Sequence, residues 1–269
     1  MNEAVIVAYK NEGETPLETI RRIRRDKNIS KDIPMTYAGR LDPMAEGVLI
    51  MLTGEECKKK DEYLGLDKQY EVEILLGINS DTGDILGKIS GVKDFSNVGK
   101  DKDKILQKIF SEKDIKNGLR LLIGKREEKY PMFSSKPVNG KPLFMHAREG
   151  GIEDAIVIEL PQKEIEIYSV DYLEQEEVTL KVLIETVINR ISKVSGDFRQ
   201  KEIINLWNSM LHEHGKIKEK TVFQIIKVKV SSSSGAYMRT LAEKFGKSLG
   251  VPALAWRIKR ISVGDYRIS

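Results

Sequence analysis

Ala38-Gly39-Arg40-Leu41-Asp42-Pro43-Met44-Ala45-Glu46-Gly47-Val48-Leu49 is the densest stretch of chemistry in the chain. An Asp followed by Pro, with glycines three residues before and five after, predicts a tight loop, and the run over 48–52 that follows is wholly apolar. Such a loop delivers a carboxylate to the mouth of an apolar strand. That position suits a nucleophile or a general base. The same spacing also fits an Asp-Pro turn whose carboxylate caps the next segment.

Outward from this loop, helices and strands alternate irregularly. Towards the N-terminus, residues 3–9 alternate as a strand, and Thr15-Pro16 opens a helix to about residue 28, with Thr15 as cap, Pro16 at the first position and Glu18 in the first turn. Towards the C-terminus come a short helix over 55–64 and a strand over 69–76 closed by Gly77. A turn-rich connection with Asp81 and Asp84 follows over 79–87, then helical periodicity over 101–110 and 114–122. Residues 125–151, which hold Pro131, Pro137 and Pro142 beside Tyr130, Phe133 and Phe144, read as one long functional loop. Residues 165–184 read as two strands around a turn at 173–177, and 185–220 as a helical insertion with Asp197 capping a helix over 198–211. A strand over 221–230, an amphipathic helix over 237–249 and a closing strand over 253–263 complete the pattern. No repeat and no regular βαβ alternation is present, so the class is α+β.

At 269 residues, 40% hydrophobic and 32% charged, the chain can bury a substantial core, which excludes a disordered tail or a mini-scaffold. Cys57 alone cannot form an intramolecular disulfide, and with three scattered histidines it makes no structural zinc cluster. His212 and His214, two residues apart, do not share a helix face. No window approaches the roughly 18 apolar residues of a membrane span. The expectation is a soluble, cytoplasmic chain without a membrane partner. Net charge is only +4, but residues 216–269 carry 12 Lys or Arg against Glu219, Glu243 and Asp265. A second basic run, Arg21 to Lys31, lies along the first helix, while residues 152–185 carry ten acids against Lys163 and Lys181. A polyanion-binding face with an acidic back would look like this; so would ordinary solvated helix faces.

The Asp42 loop resembles the catalytic loop of the pseudouridine synthases, specifically of the TruB family, which isomerises uridine 55 of transfer RNA. Further blocks carry the same resemblance in order. Lys10 with Gly13, Lys68-Gln69-Tyr70 with Leu76-Gly77, and Asp81-Thr82-Gly83-Asp84 with Gly87 are similar to family segments. Ser134-Ser135-Lys136, Gly140-Lys141-Pro142-Leu143 and Ala147-Arg148-Glu149-Gly150 resemble its RNA-gripping insertion, and Ser234-Gly235-Ala236-Tyr237-Met238-Arg239-Thr240-Leu241 its Lys-Gly-Thr-Tyr-Ile-Arg-Thr block.

The resemblance implies a pseudouridine synthase fold, a mixed, mostly antiparallel central sheet flanked by helices and RNA-binding loops. It makes 1–269 a single catalytic domain, with 125–151 as an RNA clamp, 185–220 as an insertion, and no C-terminal PUA domain. Asp42 becomes the nucleophile, Tyr70 the residue that stacks on the flipped base and acts in removing its C5 proton, and Arg239 the cation that holds Asp42 ionised and oriented. Tyr237 and Ile258 would line the base pocket, and Lys136, Lys141 and Arg148 would contact RNA. Tyr37 stands where the family has a histidine that takes the flipped base's place in the RNA stack. No cofactor or metal is implied. The partner is transfer RNA or another structured RNA, with no obligate protein partner and a monomer expected. Gly39-Arg40-Leu41-Asp42 is closer to the loop of the ribosomal RNA synthases, which leaves ribosomal RNA as a second substrate class. A non-catalytic RNA-binding or RNA-folding protein using the same groove is a reading of a different kind.

Overall fold

Period-two alternation of apolar side chains builds one large sheet in the computed structural model, which describes residues 4–89, 110–149, 159–212 and 222–268. In chain order the strands are β1 (Val5–Lys10), β2 (Met35–Ala38), β3 (Ala45–Thr53), β4 (Lys68–Leu76), β5 (Gly124–Lys129), β6 (Pro137–Val138), β7 (Lys141–Pro142), β8 (Gln162–Thr179), β9 (Val222–Ser232), β10 (Ala253–Val263) and β11 (Tyr266–Arg267). The central sheet runs β1-β3-β10-β4-β9-β8-β5, with β2 added to β3 and β11 to β10. Its pairings are antiparallel except β3 with β10, which is parallel over Ala45 to Gly47. β6 and β7 form a separate small hairpin. The mixed, mostly antiparallel sheet implied by the family resemblance is therefore the one observed.

Helix α1 (Pro16–Asp26) begins at a capping box: Thr15 Oγ1 accepts the Glu18 N–H, and the Glu18 carboxylate accepts the Thr15 N–H. It buries Ile20 against Ile6, Ala8, Leu49 and Met51 of β1 and β3. A 3-10 turn (Gly54–Lys59) and α2 (Lys60–Gly65) fill the expected helical stretch before β4. On one face of the sheet's other half lie α3 (Glu112–Arg120) and, three helices after α4 (Leu143–Glu149), α7 (Met238–Leu249). α3 and α7 pack Ile115, Leu119, Leu241 and Phe245 into a core with Val72, Ile74 and Val228. On the opposite face α5 (Leu180–Ile191) and α6 (Gln200–His212) bury Leu183, Val187, Ile203 and Trp207 over Leu75, Ile225, Leu254 and Trp256.

Three expectations are corrected. Residues 125–151 are not one loop: they open as β5, pair Gly124↔Ile167 through Lys129↔Gln162 with β8, and end in the β6–β7 hairpin and α4. β5 is an edge strand of mostly charged residues, so it has no apolar alternation to read. Residues 165–184 are not a strand pair. β8 runs unbroken for 18 residues, passing a register shift between Tyr172 and Glu174, and its polar stretch is a solvent-facing strand paired with β9. The helical segment expected from residue 185 starts at Leu180, where the apolar spacing turns helical; Asp197 accepts the Arg199 N–H in the connection, and α6 begins at Gln200. β2 and β11, four and two residues long, escaped the reading. Residues 101–109 of the helix expected over 101–110, residues 150–151 of the expected loop and residues 213–220 of the expected insertion lie outside the described residues.

The charges are less segregated than the sequence suggests. Lys227 and Lys229 of β9 stand opposite Glu73 and Glu71 of β4 and Glu174 and Asp171 of β8, with Lys227 Nζ 3.0 Å from Glu174. On α1, Arg22 bonds to Glu14 and the Tyr9 carbonyl, and Arg24 to the carbonyls of Ser30 and Ile33.

Candidate active site

Asp42 lies in the loop between β2 and β3, three residues before β3 begins at Ala45, where the short parallel pairing with β10 also begins. β3 and β10 approach closely because residue 47 has no side chain. Gly47 has φ +111°, and a Cβ there would sit 2.2 Å from the Arg260 carbonyl. Two buried cations brace the loop through its backbone. Lys10, wholly buried at the end of β1, donates from Nζ to the carbonyls of Ala45 at 2.5 Å, Pro43 at 3.2 Å and Asn11 at 3.1 Å. Arg260 of β10 donates to Val48 at 2.8 Å, Arg40 at 3.2 Å and Gly39 at 3.3 Å. The Gly13 N–H donates to the Pro43 carbonyl at 2.8 Å. Five loop and strand carbonyls around Asp42 thus accept charge-assisted bonds from Lys10 and Arg260.

The carboxylate itself meets a third cation. Arg239, in the first turn of α7, donates from Nε to Asp42 Oδ2 at 2.8 Å, from Nη1 to the Thr82 carbonyl, and from Nη2 to the Phe133 carbonyl at 2.9 Å. Its side chain is 3% exposed while that of Asp42 is 37% exposed, so the anion faces outward and its cation is sealed behind it. Burial acts against the Arg239 charge, but Asp42 and Asp84 outweigh it and push its pKa up. Asp84 is the inner carboxylate, buried, 4.0 Å from Arg239 Nε, and accepting from Thr82 Oγ1 at 2.7 Å and the Leu86 N–H at 3.0 Å. Burial pushes its pKa up against the pull of Arg239. Burial likewise pulls Lys10 down to about 8, opposed by Asp42, and draws Arg260 down, opposed by Tyr70 and Asp42.

Leu41, the residue before Asp42, belongs to the same apolar cluster as Tyr70, Ile258 and Met238, and Tyr70 pairs across the β4–β10 ladder with Arg260. Tyr237 precedes α7 with its ring 5.9 Å from the Arg239 guanidinium and edge-on to Tyr130 at 6.1 Å. Burial, then the Asp42 charge, pushes its hydroxyl up to about 12. The structure therefore brings Asp42 and Arg239 into direct contact, sets Tyr237 beside Arg239, and places Tyr70 and Ile258 on the adjacent strands β4 and β10, beside the start of β3.

The remaining sequence candidates lie further out. Tyr37 on β2 packs on the α1 side with Leu49 and Met51, and carries Arg40 at 5.9 Å and Lys60 at 5.5 Å over its ring. Lys136 lies 5.1 Å over the Tyr130 ring, beside a shallow pocket lined by Tyr130, Lys163, Gly235 and Tyr237. Lys141 pairs with Glu149. Arg148 donates to the Asp197 carbonyl at 3.0 Å and lies 5.4 Å over the Phe198 ring. His146 binds the Val138 carbonyl at 3.0 Å, holding α4 to β6. Arg260 was missed by the sequence reading. Its signal is a charged residue in phase with Ile258 on a strand whose buried positions are otherwise apolar or small.

No group of three or more His, Cys, Asp or Glu that could hold a metal ion occurs among the described residues, and none of their helices is long and apolar enough to cross a membrane. Residues 27–189 match the family described as TruB family pseudouridylate synthase (N terminal domain). Curated relatives include "tRNA pseudouridine synthase B" of Lactobacillus acidophilus, 27% identical over 100% of this chain and 71% of the relative, and that of Nitrosomonas europaea, 30% identical over 93% of this chain and 61% of the relative. Among solved structures, a Cbf5-Nop10-Gar1 complex is similar with TM-score 0.55 and 15% identity, covering 98% of this chain and 50% of that one. An H/ACA RNP bound to a substrate RNA containing 2'-deoxyuridine is similar with TM-score 0.53 and 15% identity, covering 98% and 49%. This chain thus spans about half the length of those solved chains, and the likeness to them is one of fold.

Proposed function

Since this chain belongs to the TruB family of pseudouridylate synthases, we propose that it isomerises a uridine of transfer RNA to pseudouridine, with uridine 55 of the T-loop as target. The observation that carries this is Asp42, the outward-facing carboxylate on a loop braced by Lys10 and Arg260 and held at 2.8 Å by buried Arg239. In this reading Asp42 attacks the extruded uridine as the bond between N1 and the sugar breaks. The base turns, C5 bonds to the sugar in place of N1, the bond from Asp42 to the substrate breaks and frees the carboxylate, the C5 proton leaves with the help of Tyr70, and N1 takes up a proton. Substrate and product are isomers, so electrons and atoms balance without a cofactor. Tyr237 and Ile258 line the base pocket; the Tyr237 hydroxyl, pushed up to about 12, stays protonated at neutral pH and is able to donate. Extruding the base costs a few kcal/mol, which stacking on Tyr70 and Tyr37 and phosphate contacts from Lys136, Lys141 and Arg148 offset. The segment 125–151 acts as the RNA clamp, and the protein works as a cytoplasmic monomer.

The test is release of tritium from a transfer RNA transcript carrying 5-tritiated uridine. The intact chain releases it and Asp42→Asn does not; absence of release from the intact chain, or equal release by both, overturns the assignment. Loss of pseudouridine confined to ribosomal RNA in cells lacking the protein overturns the transfer RNA target.

A further inference from the structure

Arg239 can hold Asp42 only where its other two acceptors, the carbonyls of Thr82 and Phe133, are themselves held. Both carbonyls belong to irregular backbone, Thr82 to the 79–87 connection and Phe133 to the segment between β5 and β6. A second arginine grips these same two segments from behind. Arg199, in the connection between α5 and α6, donates from Nη1 and Nη2 to Asp81 at 2.6 and 3.3 Å, and its guanidinium lies 4.7 Å over the Phe133 ring. Asp81 is the residue before Thr82, and its carboxylate also accepts the Lys88 N–H at 2.8 Å, which closes the 79–87 connection on itself. The Asp81 side chain is 6% exposed and that of Arg199 20%, so the pair is largely shielded from solvent.

Arg199 is itself held in a costly conformation. Its φ is 64°, in the left-handed region that non-glycine residues seldom occupy, with its N–H donated to Asp197 Oδ1 and its carbonyl accepting the Ile203 N–H. The same connection takes the Arg148 guanidinium through the Asp197 carbonyl and the Phe198 ring. From these contacts we infer that Arg199 is a positioning residue for the reaction, by which the α5–α6 segment fixes Thr82 and Phe133 as acceptors of Arg239 and so sets the Arg239–Asp42 pair. The catalytic half of this inference rests on the proposed isomerase activity; the structural half does not.

The experiment uses the full chain and three variants, Arg199→Ala, Arg199→Lys and Phe133→Leu, the last of which keeps the carbonyl and removes the ring. Hydrogen exchange of the Arg239 Nε–H is followed by NMR on protein labelled with nitrogen-15 arginine and assigned with Arg239→Lys. Single-turnover tritium release at saturating transfer RNA, the RNA Kd and Tm are measured alongside. In Arg199→Ala, Arg239 Nε–H exchange rises about 10-fold or more and the saturated rate falls about 10- to 100-fold, with Kd within about twofold of the intact chain. Arg199→Lys, which can still pair with Asp81, recovers part of both losses, and Phe133→Leu shows both in weaker form. If Arg199→Ala does not fold, the other two variants decide.

Exchange and saturated rate at intact-chain levels despite a lowered Tm make Arg199 a structural staple only and overturn the inference. A weaker Kd with a normal saturated rate makes it an RNA contact and overturns it as well. If the intact chain releases no tritium, the proposed function falls, and the exchange rates alone still decide whether Arg199 sets the Arg239–Asp42 pair.

Discussion

Replacing Lys10 by Met separates what the buried ammonium does for the loop from what it costs the fold. Burial pulls Lys10 from 10.5 to about 8, so at pH 7 the folded chain holds a charge that is disfavoured by about 3 kcal/mol relative to the unfolded chain. Met removes that cost. It also leaves the carbonyls of Asn11, Pro43 and Ala45 without their donor, at about 1 kcal/mol each. These opposing effects nearly cancel, so Lys10→Met unfolds at pH 7 within about 2 kcal/mol of the intact chain. Its rate is another matter: the loop loses the bonds at Pro43 and Ala45, one and three residues after the carboxylate, and tritium release at saturating RNA falls about 10- to 100-fold.

The pH dependence supplies the sharper check. The Lys10 pKa is lower folded than unfolded, so between about 8 and 10.5 the unfolded chain binds the extra proton and stability rises with pH. From pH 7 to pH 10 this one group adds about 2.5 kcal/mol to the intact chain and nothing to Lys10→Met. Other titrating groups, Lys68 included, are common to both proteins and cancel in the difference. Urea unfolding at pH 7, 8, 9 and 10 measures it. A difference between the two proteins that stays flat across that range refutes the placement of a charged Lys10 beneath the loop.

The other expectations rest on the same site and its surroundings. Lys136→Gln and Lys163→Gln each reduce the salt dependence of RNA affinity by about one unit of slope, while Lys227→Gln and Lys229→Gln leave it unchanged because carboxylates on both neighbouring strands flank them; binding titrations from low to high salt decide. Gly47→Ala costs about 3 kcal/mol or more, from its positive φ and a Cβ driven onto the Arg260 carbonyl, and is read by urea unfolding; an unchanged midpoint refutes the close approach of β3 and β10. Asp42→Asn is less stable than the intact chain by about 1–2 kcal/mol, a value discounted for the partial exposure of the carboxylate, and a more stable variant contradicts its role as counter-ion.

What could be read in the sequence followed how local its cause is. The Thr15 cap and Pro16 fix the start of α1 within four residues, and β10 has the same bounds in pattern and structure because its neutral residues alternate around a few charged ones. Asp42 was legible from its glycines and proline. Arg239 was not, since what makes it special is a partner 197 residues away, and only the resemblance of its block marked it. Arg199 and Arg260 had no such block. Each looks like surface charge until the sheet brings Asp81 and the Gly39 to Val48 carbonyls to it. The misreading of β8 has the same origin: Glu174, Glu176 and Glu177 resemble a turn unless the lysines of β9 are known to lie alongside.

The cations of the site also explain why so exposed an aspartate sits on so buried a foundation. Lys10, Arg239 and Arg260 each lose hydration on burial, and Asp42 opposes or outweighs that loss for every one of them. Asp84, the other carboxylate near Arg239, lies 4.0 Å from its Nε against 2.8 Å for Asp42, so it is the weaker counter-ion. The outward-facing Asp42 is therefore required twice, as the group that can reach a substrate and as the charge that makes its own supports tolerable. An anion that must leave water to react is best held by charges that cannot move, and backbone carbonyls fix these three in place before any RNA arrives.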